Sequence, residues 1–363
     1  MHGHVGPESA SRRVRFAHAG GGARLGRRPP RTREQREAGE ELFLAEGATR
    51  ARGAGRRRLA EEPDPHRTCF ERDRDRILHS ASFRRLAGKT QVFVHPADHQ
   101  RTRLTHALEV AQVATSVARA CGLNVALTEA IALGHDCGHG PGGHASEEAL
   151  SPYMPKGFDH AVFGADVALV RLNLTEEVLD GVRNHSWSRP APMTPEGELV
   201  AWADRCAYVA HDLEDAQKAG IVTESDLPLR IREAVGPRRS GQLRAFVSSL
   251  VSCISQTGCI GMDEDLATVL GEMREFNYHR IYLRPESVAQ SKAVVAVLRA
   301  LVEHYAYHPG LLPEDKRSSD RDDLEAAVAY VAGMTDRFAF DAAVRLLDWP
   351  VDQLPRGIDL APR

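Results

Sequence analysis

A mainly α-helical chain is what this sequence predicts, on three observations. From Asp64 onward, apolar residues recur with a period near 3.6 over helix-length segments. Gly, Pro and Asn separate those segments where helices would have to start and stop. Alternating apolar and polar runs, which a half-buried strand needs, are hard to find.

Residues 1–62 carry Gly20-Gly-Gly22, Pro29-Pro30 and Arg56-Arg57-Arg58, with few large apolar residues outside Leu42-Phe43-Leu44. That texture predicts a basic Arg/Gly-rich segment that stays partly disordered, as a solvated tail, an RNA-binding arm or an oligomer clasp. Residues 63–230 are expected to form the core. There His106, Val110, Val113 and Val117 fall at i, i+4, i+7 and i+11 on one helical face, with Arg103 one turn before the histidine and the helix ending near Cys121-Gly122. A second helix starts around Asn124 or Thr128, runs through Glu129-Ala-Ile-Ala-Leu-Gly134 and delivers His135-Asp136 just before a glycine-rich loop from Cys137 to Gly143. A third, about 198–218, puts Asp204, Tyr208 and Asp212 on a shared face after an entry turn at Thr194-Pro195-Glu196-Gly197. Residues 231–363 are expected to be a C-terminal helical region, with amphipathic helices at 242–256, 263–275, 286–306 and 321–347 and no internal repeat.

At 363 residues the chain can bury a core that needs no disulfides, and its six cysteines form no C-x-x-C pair. No apolar run approaches the ~20 residues of a spanning helix, and the Arg-rich start lacks the apolar stretch of a secretory signal. A cytoplasmic protein with no membrane partner is the expectation. A formal charge of −3 gives no global argument for nucleic acid or membrane binding, although the first sixty residues are strongly basic.

A histidine, a His-Asp pair and a distant aspartate, each on or ending a helix, suit a divalent ion: two imidazoles, carboxylate oxygens and open positions. The run His135-Asp136-Cys-Gly-His139-Gly-Pro-Gly-Gly-His144 packs three histidines and a carboxylate among small or rigid residues, which a mere core has no use for. Such an ion can orient and neutralise phosphate. The phosphate loop G-x-x-x-x-G-K-[ST] is absent from the sequence.

From about residue 55 to 345 the sequence resembles the HD-domain deoxynucleoside triphosphate triphosphohydrolases, the bacterial dGTPase-like enzymes. The resemblance rests on Arg67-Thr-Cys-Phe-Glu-Arg-Asp-Arg-Asp-Arg-Ile77, Phe83-Arg-Arg-Leu86, Lys89-Thr-Gln-Val-Phe93, Arg101-Thr-Arg-Leu-Thr-His-Ala-Leu-Glu-Val-Ala-Gln112, the run from Glu129 to Gly140, Ala203-Asp-Arg-Cys-Ala-Tyr-Val-Ala-His-Asp-Leu213 and Tyr330-Val-Ala-Gly-Met-Thr-Asp-Arg337. It implies an all-α HD-domain phosphohydrolase core with additional C-terminal helices. It also implies hydrolysis of a dNTP, dGTP or several, to deoxynucleoside and inorganic triphosphate.

Residue by residue, the resemblance implies that His106, His135, Asp136 and Asp204 are metal ligands for Mg²⁺, Mn²⁺ or an iron-group ion. It makes Arg103 the arginine gripping phosphate near the scissile bond, His139 and His144 the histidines facing the α-phosphate and sugar, and Arg205 a basic residue holding the triphosphate. Tyr208 and Asp212 would read the deoxyribose: a ring under C2′ leaves no space for a 2′-hydroxyl, and a buried carboxylate accepts the 3′-hydroxyl. His160 would be the general acid for the departing 5′-oxygen, since a histidine with the ordinary pKa near ~6.5 is readily protonated beside phosphates, with His139 beside it in the catalytic set. Family members are commonly homo-oligomers, often hexamers, and some need a nucleotide or single-stranded DNA activator.

The sequence departs from the family at Cys137, where another apolar residue is usual, at Pro141-Gly142-Gly143-His144 in place of Pro-Phe-Gly-His, and at Ala161-Val-Phe-Gly-Ala165 after His160. These changes bear on base preference and on support around the acid. His185 reads equally as a phosphate contact or a structural residue. Two alternatives stay open: another HD phosphohydrolase, acting on nucleoside monophosphates or a signalling nucleotide, and a nucleic-acid-binding regulator with weak catalysis.

Overall fold

The computed structural model describes residues 28–94, 96, 100–317 and 322–357, together with 4–5, 15–19 and 25–26. Apart from a two-residue antiparallel pairing of His4–Val5 with Arg15–Phe16 and two isolated bridges, its regular structure among the described residues is helical. Periodicity predicts a mainly α-helical chain and the family resemblance an all-α core, and the structure is all-α.

In chain order the helices are α1 (Arg33–Phe43), α2 (Cys69–His79), α3 (Ala81–Arg85), α4 (Arg103–Cys121), α5 (Val125–Gly134), α6 (His144–Leu150), α7 (His160–Phe163) and α8 (Glu176–Asn184). They are followed by α9 (Pro195–Lys218), α10 (Leu229–Val235), α11 (Arg239–Thr257), α12 (Glu264–Asn277), α13 (Pro285–Tyr307), α14 (Asp323–Ala332) and α15 (Asp336–Leu347).

The ends of the site-bearing helices are set by local chemistry. Thr102 and Thr105 form a reciprocal cap at the start of α4, and Gly122, in the left-handed region, ends it by donating its N–H to Ala118 O. Asn124 caps α5 by accepting the Leu127 N–H at 3.2 Å. Thr194 caps α9, with Pro195 at the first helical position where its missing N–H costs nothing. The face predicted for α4 is the face that packs: Val110, Val113 and Val117 are buried with His106. Each such valine contributes roughly 1.5–3 kcal/mol of apolar burial.

Three apolar clusters surround the site. One joins α2, α4, α5, α8 and α9, a second joins α6, α13, α14 and α15, and a third runs from the far end of α4 through α9 to α12. The third draws on residues on both sides of the expected division at 230/231.

Two expectations need correction. The stretch 321–347, read as one helix, is two: α14 stops at Gly333, and Thr335 accepts the Phe338 N–H to start α15. Within the segment read as a basic arm, residues 33–58 are built into the fold. Thr32 and Gln35 cap α1, Thr49 donates through N–H and hydroxyl to the buried Glu196, and Arg57 is paired with the buried Asp73. Ion pairing absorbs arginines that composition alone assigns to a tail. Gly20-Gly-Gly22 lies outside the described residues. No helix among the described residues is long and apolar enough to cross a membrane.

Candidate metal and phosphate site

Four side chains from three helices gather in two overlapping groups of ligand atoms that share His135, one with His106 and Asp136 and one with Asp204. α4 supplies His106, the end of α5 supplies His135 and Asp136, and the middle of α9 supplies Asp204. His106 Nε2 lies 3.0 Å from Asp204 Oδ1 and 3.7 Å from Asp136 Oδ2, and His135 Nε2 lies 3.5 Å from Asp136 Oδ1 and 3.6 Å from Asp204 Oδ1. Two carboxylates and two imidazoles so close together, with the histidines and Asp136 buried, need a cation or protons to hold them.

The residues fit a divalent cation, and His135 is the test. Its Nδ1–H donates to Ala132 O at 2.7 Å, which fixes the tautomer and leaves the Nε2 lone pair facing the cluster without a hydrogen-bond partner among the described residues. His185 repeats the device: its Nδ1–H donates to Val182 O at 2.8 Å, and its Nε2 joins His135 and Asp204 in a second group of ligand atoms. The structure thus brings to the centre a histidine whose sequence reading was divided.

Charge in the cluster follows from its neighbours. Burial works against ionised Asp136, yet Arg103, His135 and His139 around it hold its carboxyl well below the usual range. Burial likewise opposes charge on Asp204, and His106 and His135 outweigh it, so that it too is lowered. Burial lowers His106, but Asp204 and Asp136 more than reverse the effect and raise it.

Arg103, at the first turn of α4, donates from Nη1 to Asp136 Oδ2 at 2.7 Å. Its Nε and Nη2 are buried and have no partner among the described residues, which is half of a guanidinium fork left for an anion. His139 Nε2 lies 3.2 Å from Asp136 Oδ1, and its ring stacks on His160 at a centroid distance of 3.7 Å. Burial, Arg103 and His160 together push His139 well down, favouring the neutral ring. The stack requires Gly138, because a Cβ there would come 2.0 Å from His160 O. His144 differs from the others in sitting exposed at the rim, with Nδ1 3.3 Å from Glu147 Oε2.

Sequence reasoning missed Glu147, one turn into α6. Its Oε1 accepts the His160 backbone N–H at 3.1 Å and lies 2.6 Å from His160 Nδ1. Burial would raise this carboxyl, but His144, His160 and His139 carry it far down, so it is ionised. Its local signal was only the i+3 spacing from His144, easily read as a surface pair.

These groups line a cavity of about 450 Å³, within the range of small-molecule sites. Thr90, Gln91 and Val92 form another part of the wall. Arg205 and Tyr208, from α9, also line it, and the Arg205 guanidinium lies 3.5 Å over the Trp187 ring. Asp212 sits one turn deeper, where its Oδ2 accepts the Tyr282 hydroxyl and its Oδ1 has no partner among the described residues. Burial raises the Asp212 carboxyl to about 7 despite the Tyr282 hydrogen bond. Tyr282 and Arg274, which also line the cavity, come from beyond α11, and no sequence spacing linked them to α9. The predicted site residues line this one cavity, except His135, which is buried behind Asp136 and Asp204.

Residues 103–209 match the HD domain, and residues 260–345 match the phosphohydrolase-associated domain. The chain is 41% identical to a deoxyguanosinetriphosphate triphosphohydrolase-like protein of Clostridium perfringens strain SM101, over 78% of this chain and 88% of that one. It is 38% identical to the like-named protein of Caldanaerobacter subterraneus, covering 84% and 93%, and 39% identical to that of Desulfatibacillum aliphaticivorans, covering 85% and 95%.

Proposed function

We propose, from the premise that this chain belongs to the deoxyguanosinetriphosphate triphosphohydrolase-like family of HD-domain phosphohydrolases, that it hydrolyses deoxynucleoside triphosphates to deoxynucleoside and inorganic triphosphate. The observation that carries the proposal is the half-free fork of Arg103 beside the His106, His135, Asp136 and Asp204 cluster, in a cavity of about 450 Å³. Phosphate oxygens satisfy both the fork and a cation at once.

His106, His135, Asp136 and Asp204 would hold a divalent ion, Mg²⁺, Mn²⁺ or an iron-group ion. When bound, it supplies Lewis acidity toward phosphate and lowers the pKa of water. Arg103 orients the α-phosphate through Nε and Nη2, its third nitrogen being engaged by Asp136. Water oxygen bonds to the α-phosphorus as the bond from phosphorus to the 5′-oxygen breaks, and all three phosphorus atoms leave together. The water loses a proton, and the 5′-oxygen gains one.

His160 is the proposed acid for that oxygen. Glu147 takes one side of its ring at Nδ1, and Nε2 on the other side lies 3.3 Å from His185 Nε2 and 4.0 Å from Asp136 Oδ1, at the edge of the cluster where the phosphate would bind. Neutral His139, stacked on it, faces the same phosphate without adding positive charge that would drive off the proton. His144 at the rim and Arg205, held over Trp187, take the outer phosphates and sugar edge. Tyr208 on the wall crowds the 2′ position, and the free Oδ1 of Asp212 accepts the 3′-hydroxyl.

The test is anion-exchange analysis of products after purified protein is incubated with each dNTP and with GTP, in Mg²⁺ or Mn²⁺, with a mixed nucleotide pool as possible activator. Deoxynucleoside plus triphosphate, lost in Asp136→Ala, is expected. Stepwise release of orthophosphate would instead move the protein to another HD phosphohydrolase activity.

A further inference from the structure

The sequence Gly333-Met-Thr-Asp-Arg337 takes no part in the site as described, yet it reaches the site's walls. Asp336 opens α15, a position where an aspartate usually faces water; here it is only 3% exposed. Its Oδ2 accepts the Thr90 backbone N–H at 3.0 Å and the Thr90 hydroxyl, and its Oδ1 accepts the Gly142 N–H at 2.9 Å. A buried carboxylate is tolerable only with such partners.

The two segments it joins are the two walls of the phosphate end. Thr90 bridges to Thr102, and Lys89 O accepts the Arg103 N–H at 3.2 Å, so this stretch sets the root of the Arg103 side chain. Gly142 lies between His139 and His144 in the histidine loop, in the left-handed region at φ 73°, where a Cβ would stand 2.4 Å from Val294 Cγ1. The loop therefore has no slack against α13. Lys89, 2% exposed, makes the reverse connection: its Nζ donates to His139 O and, at 3.0 Å, to Ala332 O at the end of α14. Two buried groups of opposite charge thus each tie the break between α14 and α15 to the site.

We infer that Asp336 is a positioning residue, which with Lys89 holds the Arg103 wall and the histidine loop at the separation that a polyphosphate chain requires. This rests on the function proposed above. The metal ligands come from α4, α5 and α9, and the hydrogen bonds of the Asp336 carboxylate go to Thr90 and Gly142 and to none of those helices. Loss of the carboxylate should therefore loosen phosphate binding while leaving the metal in place.

The test uses the full metal-loaded chain and Asp336→Asn, in which the amide can accept from Gly142 but turns an N–H toward the Thr90 N–H. Expected are a KM for dGTP raised roughly 10- to 100-fold with kcat changed far less, weakening of inorganic tripolyphosphate binding by a similar factor, and unchanged bound metal. Amide hydrogen exchange should quicken in 89–92 and 139–145 and not elsewhere. Thr90→Val, which removes one donor and keeps the backbone, should show the same pattern more weakly and decides the matter if Asp336→Asn does not fold. Wild-type tripolyphosphate affinity and exchange in a folded variant, or loss of metal with KM unchanged, would overturn the inference. If the wild-type chain proves to have no dNTP turnover, the proposed reaction fails, while hydrogen exchange still reads the positioning role.

Discussion

Arg103→Lys separates a site that reads phosphate geometry from one that merely needs positive charge. Lysine keeps the charge and can still reach toward Asp136, but it cannot present a planar fork. Arg103 has one nitrogen on Asp136 at 2.7 Å and two buried without partners among the described residues. Hydrogen bonds to charged groups are worth about 1.5–3 kcal/mol each, so losing two puts about 3–6 kcal/mol at stake in the transition state. That corresponds to a fall in kcat/KM of roughly 10²- to 10⁴-fold. Steady-state kinetics with dGTP, alongside metal content by mass spectrometry, give the answer. Kinetics within about three-fold of wild type, less than 1 kcal/mol, with metal unchanged, would refute the assignment of the two free N–H groups to the substrate.

Four further outcomes are expected. Asp204→Asn removes the negative charge of the carboxylate whose Oδ1 faces both His106 and His135, and its metal content should fall well below wild type when measured by mass spectrometry after gel filtration. Glu147→Gln leaves the fold intact but withdraws the anion at 2.6 Å from His160 Nδ1, so kcat should fall roughly 10- to 100-fold with tripolyphosphate binding kept; an unchanged kcat would remove Glu147 from the account. Gly138→Ala drives a methyl into His160 O and should lower thermal stability and activity together, read by calorimetry and turnover. Glu109, where burial is outweighed by His211 at 3.0 Å and by Arg101, sits at about 2, below the usual carboxylate value of about 4.3. Its folded value is depressed, so its contribution to stability is complete above about pH 4.3 and is lost as pH falls toward 2. Urea unfolding at pH 6 and pH 3.5 should show that loss, and Glu109→Gln should reduce the difference.

The helices that carry the site were legible because their signals are local. The start at Asn124, the glycine at 122, the entry turn at Thr194-Pro195 and the spacing from His106 to Val117 depend only on neighbours, and α4, α5 and α9 lie where those signals put them. The His/Asp cluster that could hold a metal was legible because its residue types are costly to bury in an ordinary core. Tyr282 and Asp336 were not, since each acts through contacts 70 and 246 residues away in sequence. The break at Gly333 was hidden by apolar periodicity continuing on both sides, although Thr335 offers a cap three residues before Phe338. Residues 33–58 were misread because buried ion pairs such as Arg57 with Asp73 leave no trace in composition.

The central claim is that water attacks the α-phosphorus and the bond to the 5′-oxygen breaks. Turnover of dGTP in ¹⁸O-labelled water tests it most directly, with mass spectrometry of every product. One labelled oxygen is expected in inorganic triphosphate and none in deoxyguanosine. Label in orthophosphate, with dGDP as the other product, would contradict it.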